Sequence, residues 1–162
     1  MRELEALADR PIYYIDECGI EHGLYRENAR ARRGVKVYAE ISGTRKRTSI
    51  IGAWGECGFL APMLFEGSCT TELIDAYFEK VLLPELPKGS IIILDNARFH
   101  QSASTRRLVE SDGKELMFLP AYSPDLNPIE HFWAKFKNAL KPRLHLYKNK
   151  LLFIAKMSQS YC

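Results

Sequence analysis

The stretch Ser90-Ile-Ile-Ile-Leu-Asp95 sets four aliphatic residues in a row, three of them β-branched, and closes on a carboxylate. An uninterrupted apolar run of this kind suits a strand buried on both faces of a sheet, so 90–95 is expected as a central strand. Its aspartate then stands at the strand's carboxyl end, where open α/β sheets gather ligand-binding groups. An ordinary strand-ending turn at Asp95-Asn96 fits the residues equally well.

Upstream, Pro11-Ile-Tyr-Tyr-Ile-Asp16-Glu17 repeats the theme: a short β-prone run ending in acid, followed by Gly19 and a turn-rich basic stretch. Further strands are expected at 35–42, 49–54 and 59–65, the last two joined by a hairpin turn at Gly55-Glu-Cys-Gly58. Apolar residues at Leu73, Ile74, Tyr77, Phe78, Val81 and Leu82 have helical spacing, and Pro84 is expected to end that helix. Downstream, a helix over 103–110 closes at Asp112-Gly113, a strand over 116–119 stops at Pro120, and Pro124, Asn127 and Pro128 shape a rigid connection. The next helix should turn Ile129, Trp133, Phe136 and Leu140 inward. Antiparallel strands followed by alternating helix and strand give a mixed α/β sheet with flanking helices.

With 162 residues and 46% apolar content, the chain can build one substantial core. No apolar stretch approaches the length of a membrane span, and the acidic start Met1-Arg-Glu-Leu-Glu-Ala-Leu-Ala-Asp9 has neither a basic leader nor a signal core, so export is not expected. Cys18, Cys57, Cys69 and Cys162 form no CxxC pair and no zinc-like spacing with His22, His100, His131 or His145. Reduced thiols in a cytoplasm fit this usage.

The net charge of +3 conceals a segregation. Residues 24–47 carry eight Lys/Arg against two Glu, 48–130 carry six against twelve acids, and 131–162 carry seven against none. An acidic centre between basic arms suits a metal site that serves a polyanion, with Arg45, Lys46, Arg47, Lys135, Lys137 and Lys141 as candidate phosphate contacts. A solvated basic surface would show the same asymmetry.

Three carboxylates stand out: Asp16, Asp95 and Glu130. Gathered at one point they would repel each other, and a fold that does this usually holds divalent cations. Each has a plainer reading. Glu130 lies three residues after Asn127 with Pro128 between, the pattern of an N-cap, an N1 proline and a capping-box glutamate. Glu17 competes with its neighbour Asp16. His100 and His131 read as surface or packing histidines, and Trp133, Phe136 and Trp54 as core.

Taken together, Leu94-Asp-Asn-Ala-Arg-Phe-His100 and Leu119-Pro-Ala-Tyr-Ser-Pro-Asp-Leu-Asn-Pro-Ile-Glu-His-Phe-Trp133 closely resemble the catalytic domain of insertion-sequence transposases of the mariner-related DDE superfamily. In that family 34 residues separate the second aspartate from the final glutamate, as they do between Asp95 and Glu130. The resemblance, which runs from about Ile12 to Leu140, implies a ribonuclease-H-like fold and an acidic triad of Asp16, Asp95 and Glu130. It also implies two Mg²⁺ or Mn²⁺ ions, with water as nucleophile for DNA nicking and a freed 3′-hydroxyl as nucleophile for joining. Asn96 and His100 match residues that recur beside the second aspartate and are accessory candidates with Glu17; Asp125 is taken as loop-shaping. The implied partners are transposon ends and target DNA, with self-association on DNA, in the nucleoid of a bacterial-type cytoplasm.

The expected organisation is an N-terminal extension over 1–10, a DDE catalytic domain over 11–141, and a basic tail over 142–162 whose composition is open to helix. Relatives carry a helix-turn-helix ahead of the first aspartate, whereas 15 residues precede Asp16 here. A separately encoded helix-turn-helix polypeptide, or a truncated copy, is therefore expected. Two rival readings remain: another nuclease of the ribonuclease-H fold, and an inactive remnant that only binds DNA.

Overall fold

In the computed structural model, residues 10–22, 33, 47–96, 102–120 and 123–161 are described. Five strands form one mixed sheet: β1 (Ile12–Glu21), β2 (Arg47–Gly55), β3 (Gly58–Phe65), β4 (Ile91–Leu94) and β5 (Glu115–Phe118), in the order β3-β2-β1-β4-β5. The first three are antiparallel, while β4 runs parallel to both β1 and β5. This is the expected sequence of antiparallel then parallel pairing, with the Ile-rich run next to β1. Arg10 anchors the lower end, reaching the Gly89 carbonyl at 2.7 Å and the Glu115 carboxylate at 2.6 Å.

Side-chain alternation divides the sheet into two buried faces. Ile15, Ile51, Ala53, Ile92 and Leu94 pack with Ile74, Tyr77, Phe78 and Val109. These come from α1 (Thr71–Tyr77), the π-helical turn Phe78–Leu82 that continues it, and α2 (Ala103–Ser111). Cys18, Ile20, Ile50 and Phe59 pack on the other face against Ile129, Phe132, Trp133, Phe136 and Leu140 of α3 (Ile129–Leu140). The inward stripe of α3 is the one its spacing predicts, with Phe132 added. Phe136→Ala removes a fully buried ring from this second core, and urea unfolding should show a loss of about 3–5 kcal/mol.

The 142–161 segment also belongs to that core. Leu144 of the 3₁₀ turn Leu144–Leu146, and Phe153 and Ile154 of α4 (Lys150–Gln159), are buried in it. Lys150 donates to the His22 carbonyl at 2.9 Å, and the Tyr161 ring meets those of Phe132 and Phe136 edge-on.

Two local expectations need correction. β1 does not stop at Asp16, because β2 pairs with it from Tyr14↔Trp54 to Glu21↔Arg47 and carries it through Gly19. Pro84 does not end its helix at once: the π turn shifts the hydrogen bonding, with the Leu83 amide reaching back to the Phe78 carbonyl, and the chain leaves helix only at Leu86. The strand expected at 35–42 lies outside the described residues.

Candidate active site

The site is built where β1 outruns β4. Their last paired residues are Ile15 and Leu94, so the next residues, Asp16 and Asp95, leave the shared ladder side by side. On β1, alternation sends Asp16 and buried Cys18 to the face that α3 covers, and Glu17 to the opposite face, where it hydrogen-bonds Cys69. Neighbours in sequence, Asp16 and Glu17 therefore serve opposite sides of the sheet.

Helix α3 supplies the rest. Glu130, Trp133 and Lys137, spaced by three and four residues, lie along one side of it. Glu130 is exposed in the first turn. The Trp133 indole Nε1 donates to Asp16 Oδ2 at 3.0 Å. Lys137 is half-buried and close enough to the Cys18 thiol for its charge to act on it. The capping box suggested by Asn127 and Glu130 is not formed: α3 has no side-chain cap, and Asn127 Oδ1 is buried without a hydrogen-bond partner. Capping therefore does not account for Glu130, whose charge instead acts on Asp16.

The electrostatics identify one neighbourhood. Asp16 is pushed from its ordinary value of 3.8 to about 7, first by burial, then by the charge of Glu130, with Glu17 and Asp95 adding to it and a backbone hydrogen bond opposing. Burial likewise raises the Cys18 thiol to about 11, although Lys137 pulls it down. Among the described residues, no three His, Cys, Asp or Glu side chains are gathered tightly enough to grip one ion as they stand. The donor set nevertheless suits a hard divalent cation of the Mg²⁺ or Mn²⁺ class: carboxylate oxygens whose mutual repulsion a positive ion would relieve. Thiolate chemistry is a poor match, since Cys18 is buried and protonated.

The remaining candidates are dispersed. Asn96 is exposed just past Asp95, and Lys135 and Lys141 are exposed on or at the end of α3. Arg47 lies across Gly19, where an added Cβ would strike its guanidinium. Arg45, Lys46 and His100 lie outside the described residues. A cavity of about 480 Å³ between Tyr147 and α4 is lined by Arg143, Phe153 and Lys156 and by none of the acidic residues.

With two strand-borne aspartates and a helix-borne glutamate in place, comparison with known proteins fixes the family. The profile described as DDE superfamily endonuclease matches residues 11–151. The chain belongs to the DDE superfamily endonucleases.

Solved structures with the same fold include the Mos1 Strand Transfer Complex, with a TM-score of 0.68 at 20% identity over 98% of this chain and 55% of that one. The Mos1 transposase paired-end complex with left transposon end gives 0.66 at 20% identity, over 86% and 44%. The Mos1 transposase catalytic domain and Raltegravir with Mg gives 0.65 at 18% identity, over 93% and 70%. At such identities the likeness shows the fold, which is ribonuclease-H-like. This DDE superfamily endonuclease spans about half the length of the chains in the first two complexes. No curated protein matches its sequence.

Sequence reasoning treated Trp133 as core alone and Lys137 as one of several candidate phosphate contacts. The structure adds a polar role to each. Their spacing from Glu130 on one helix was the signal available: positions three and seven residues beyond a candidate acid share its side of the helix.

Proposed function

We propose that this endonuclease is the catalytic domain of a transposase, cutting DNA strands and joining them to target DNA in a divalent-metal-dependent phosphoryl transfer. Asp16, Asp95 and Glu130 are the catalytic triad and the ligands of two divalent cations. The observation that carries it is the carboxyl of Asp16, beside Asp95 at the end of the β1–β4 ladder and pushed to about 7 by burial first and then by the charges of Glu130, Glu17 and Asp95. Asp16 feels the charges of Glu130 and Asp95 where the β1–β4 ladder ends, a repulsion that a bound divalent cation would relieve. Mos1 mariner paired-end complexes are described with Mn and with Mg, which supports the same class of ion here.

When bound, such ions activate the attacking oxygen and stabilise the leaving oxygen of the phosphodiester. The chain's own residues do the rest. Asp16 and Asp95 offer oxygens from adjacent strands, a rigid base line set by the β1–β4 ladder. Glu130, exposed at the start of α3, can turn toward them from a third direction. Lys137, beside Cys18 and close to the triad, is placed to meet a phosphate oxygen of the bound strand. Glu17, on the far face with Cys69, is left outside the triad, and Asn96 and His100 are accessory.

The substrates proposed are transposon ends and target DNA, with self-association on DNA and a helix-turn-helix polypeptide supplying sequence recognition in a bacterial-type, nucleoid-associated setting. The direct test is nicking of supercoiled plasmid by the purified chain. Mg²⁺ or Mn²⁺ should support cleavage and EDTA should stop it; binding of DNA without metal-dependent cleavage would instead make the chain an inactive DNA-binding remnant.

Exposed Lys135 and Lys141 extend the basic side of α3 away from the triad. If both neutralise phosphates, changing the two to Gln should flatten the log-affinity versus log-salt slope on duplex DNA by about two units, weakening all sequences alike. An unchanged slope would move the DNA path toward the basic segment that ends at Arg47.

A further inference from the structure

We infer that Trp133 is a positioning residue for the proposed metal centre, holding one oxygen of Asp16 through its indole N–H so that the other is presented to the cation. The inference rests on the triad reading above and extends it to a residue whose pattern marks it as core.

The geometry supports a fixed rather than incidental contact. Trp133 is 2% exposed, and its Nε1 lies 3.0 Å from Asp16 Oδ2. Its indole is held by three rings, Phe59 edge-on at 5.3 Å, Phe132 at 5.0 Å and Phe136 edge-on at 6.1 Å. Phe59 comes from β3, which lies beyond β2 from β1 in the same sheet. It fits there because Asp16's direct partner across the β1–β2 ladder is Gly52, where a Cβ would come within 2.3 Å of the Phe59 ring. A missing side chain at Gly52 thus admits the ring that sets the indole, and the indole sets the carboxylate. The register also shifts between Ile51 and Ala53 in the β2–β3 ladder, placing an irregularity at the same point.

The choice of donor matters chemically. An indole N–H can only donate: it has no lone pair to compete for the ion and no charge to neutralise the carboxylate. An arginine or lysine in that place would hold Asp16 but repel the cation. Donors to ligating carboxylates fix the orientation of those ligands, and their loss typically costs metal sites about 10–100-fold in affinity or activity. Because Glu130 precedes Trp133 by one turn of α3, docking of that helix delivers one ligand and orients another in a single step.

The test is Mn²⁺ binding to the purified chain, read by the loss of the free-ion paramagnetic resonance signal, with no DNA and no turnover. Trp133→Phe keeps an aromatic core residue and removes the donor. A second variant carrying benzothienylalanine at position 133 keeps the fused-ring shape with sulfur in place of N–H. Both should bind Mn²⁺ about 10–100-fold more weakly than the parent, with cooperative unfolding retained in the isosteric variant. Parent-like Mn²⁺ affinity in the isosteric variant would overturn the role of Trp133 while leaving the triad standing. Asp16→Asn separates the two ideas: if it too binds Mn²⁺ like the parent, the triad reading itself fails, and the positioning role with it.

Discussion

Asp95→Asn and Glu130→Gln are each expected to lower metal-dependent DNA cleavage by roughly a thousandfold or more while leaving the fold intact. A carboxamide preserves the shape of the side chain and removes the charge that a divalent cation requires. Cation stabilisation of a reacting phosphate is worth several kcal/mol, and each 1.36 kcal/mol is a factor of ten in rate, so loss of one ligand converts to about three decades. Neither residue is part of a buried core cluster: Asp95 is half-buried at the end of β4 and Glu130 is exposed on α3. Their thermal unfolding should therefore stay close to that of the parent. Nicking assays paired with circular dichroism decide the matter, and undiminished cleavage by either variant would remove that residue from the triad.

The second large effect is a reversed pH dependence. In the folded chain Asp16 is raised from 3.8 to about 7 by burial and by Glu130, with Glu17 and Asp95 contributing. Between those two pH values the native state keeps a proton that the unfolded chain gives up. The stability this contributes is complete below the unfolded value and is lost as the pH rises through about 7. Metal-free protein should accordingly lose stability on going from acid toward neutrality, opposite to a carboxylate held by a salt bridge. A cation must displace the same proton, so Mg²⁺ or Mn²⁺ uptake at a pH of about 6 should release up to about one proton. Calorimetry in buffers of different ionisation heat measures that release, and urea unfolding across the pH range measures the slope. Asp16→Asn should abolish both, and parent protein with no proton release would contradict the assignment of the raised group.

Much of this arrangement was legible because the decisive residues carry strong local signals. The unbroken aliphatic run before Asp95 has few structural options other than a buried strand, and the α3 stripe of Ile129, Trp133, Phe136 and Leu140 follows directly from its period. The hairpin at 55–58 was visible in its two glycines, which pair directly across it. What was not legible depends on partners distant in sequence. β1 reads as ending at Asp16, since only β2, some thirty residues on, keeps Gly19 in a strand. Two adjacent acids, Asp16 and Glu17, are indistinguishable until a sheet gives them opposite faces. The capping box at Asn127 and Glu130 is a sound local pattern that tertiary structure overrides, leaving Asn127 buried and the Glu130 charge acting on Asp16. The hydrogen bond from Trp133 to Asp16 spans 117 residues and has no local signature beyond its spacing from Glu130.

The central claim is that Asp16, Asp95 and Glu130 form a divalent-metal centre, and anomalous diffraction from crystals of the chain grown with Mn²⁺ tests it without any assumption about DNA sequence. The account predicts manganese density in contact with the carboxylates of Asp16 and Asp95 at the carboxyl end of β4, with Glu130 turned toward it from α3. Fully occupied manganese elsewhere, with these three carboxylates bare at saturating Mn²⁺, would contradict it.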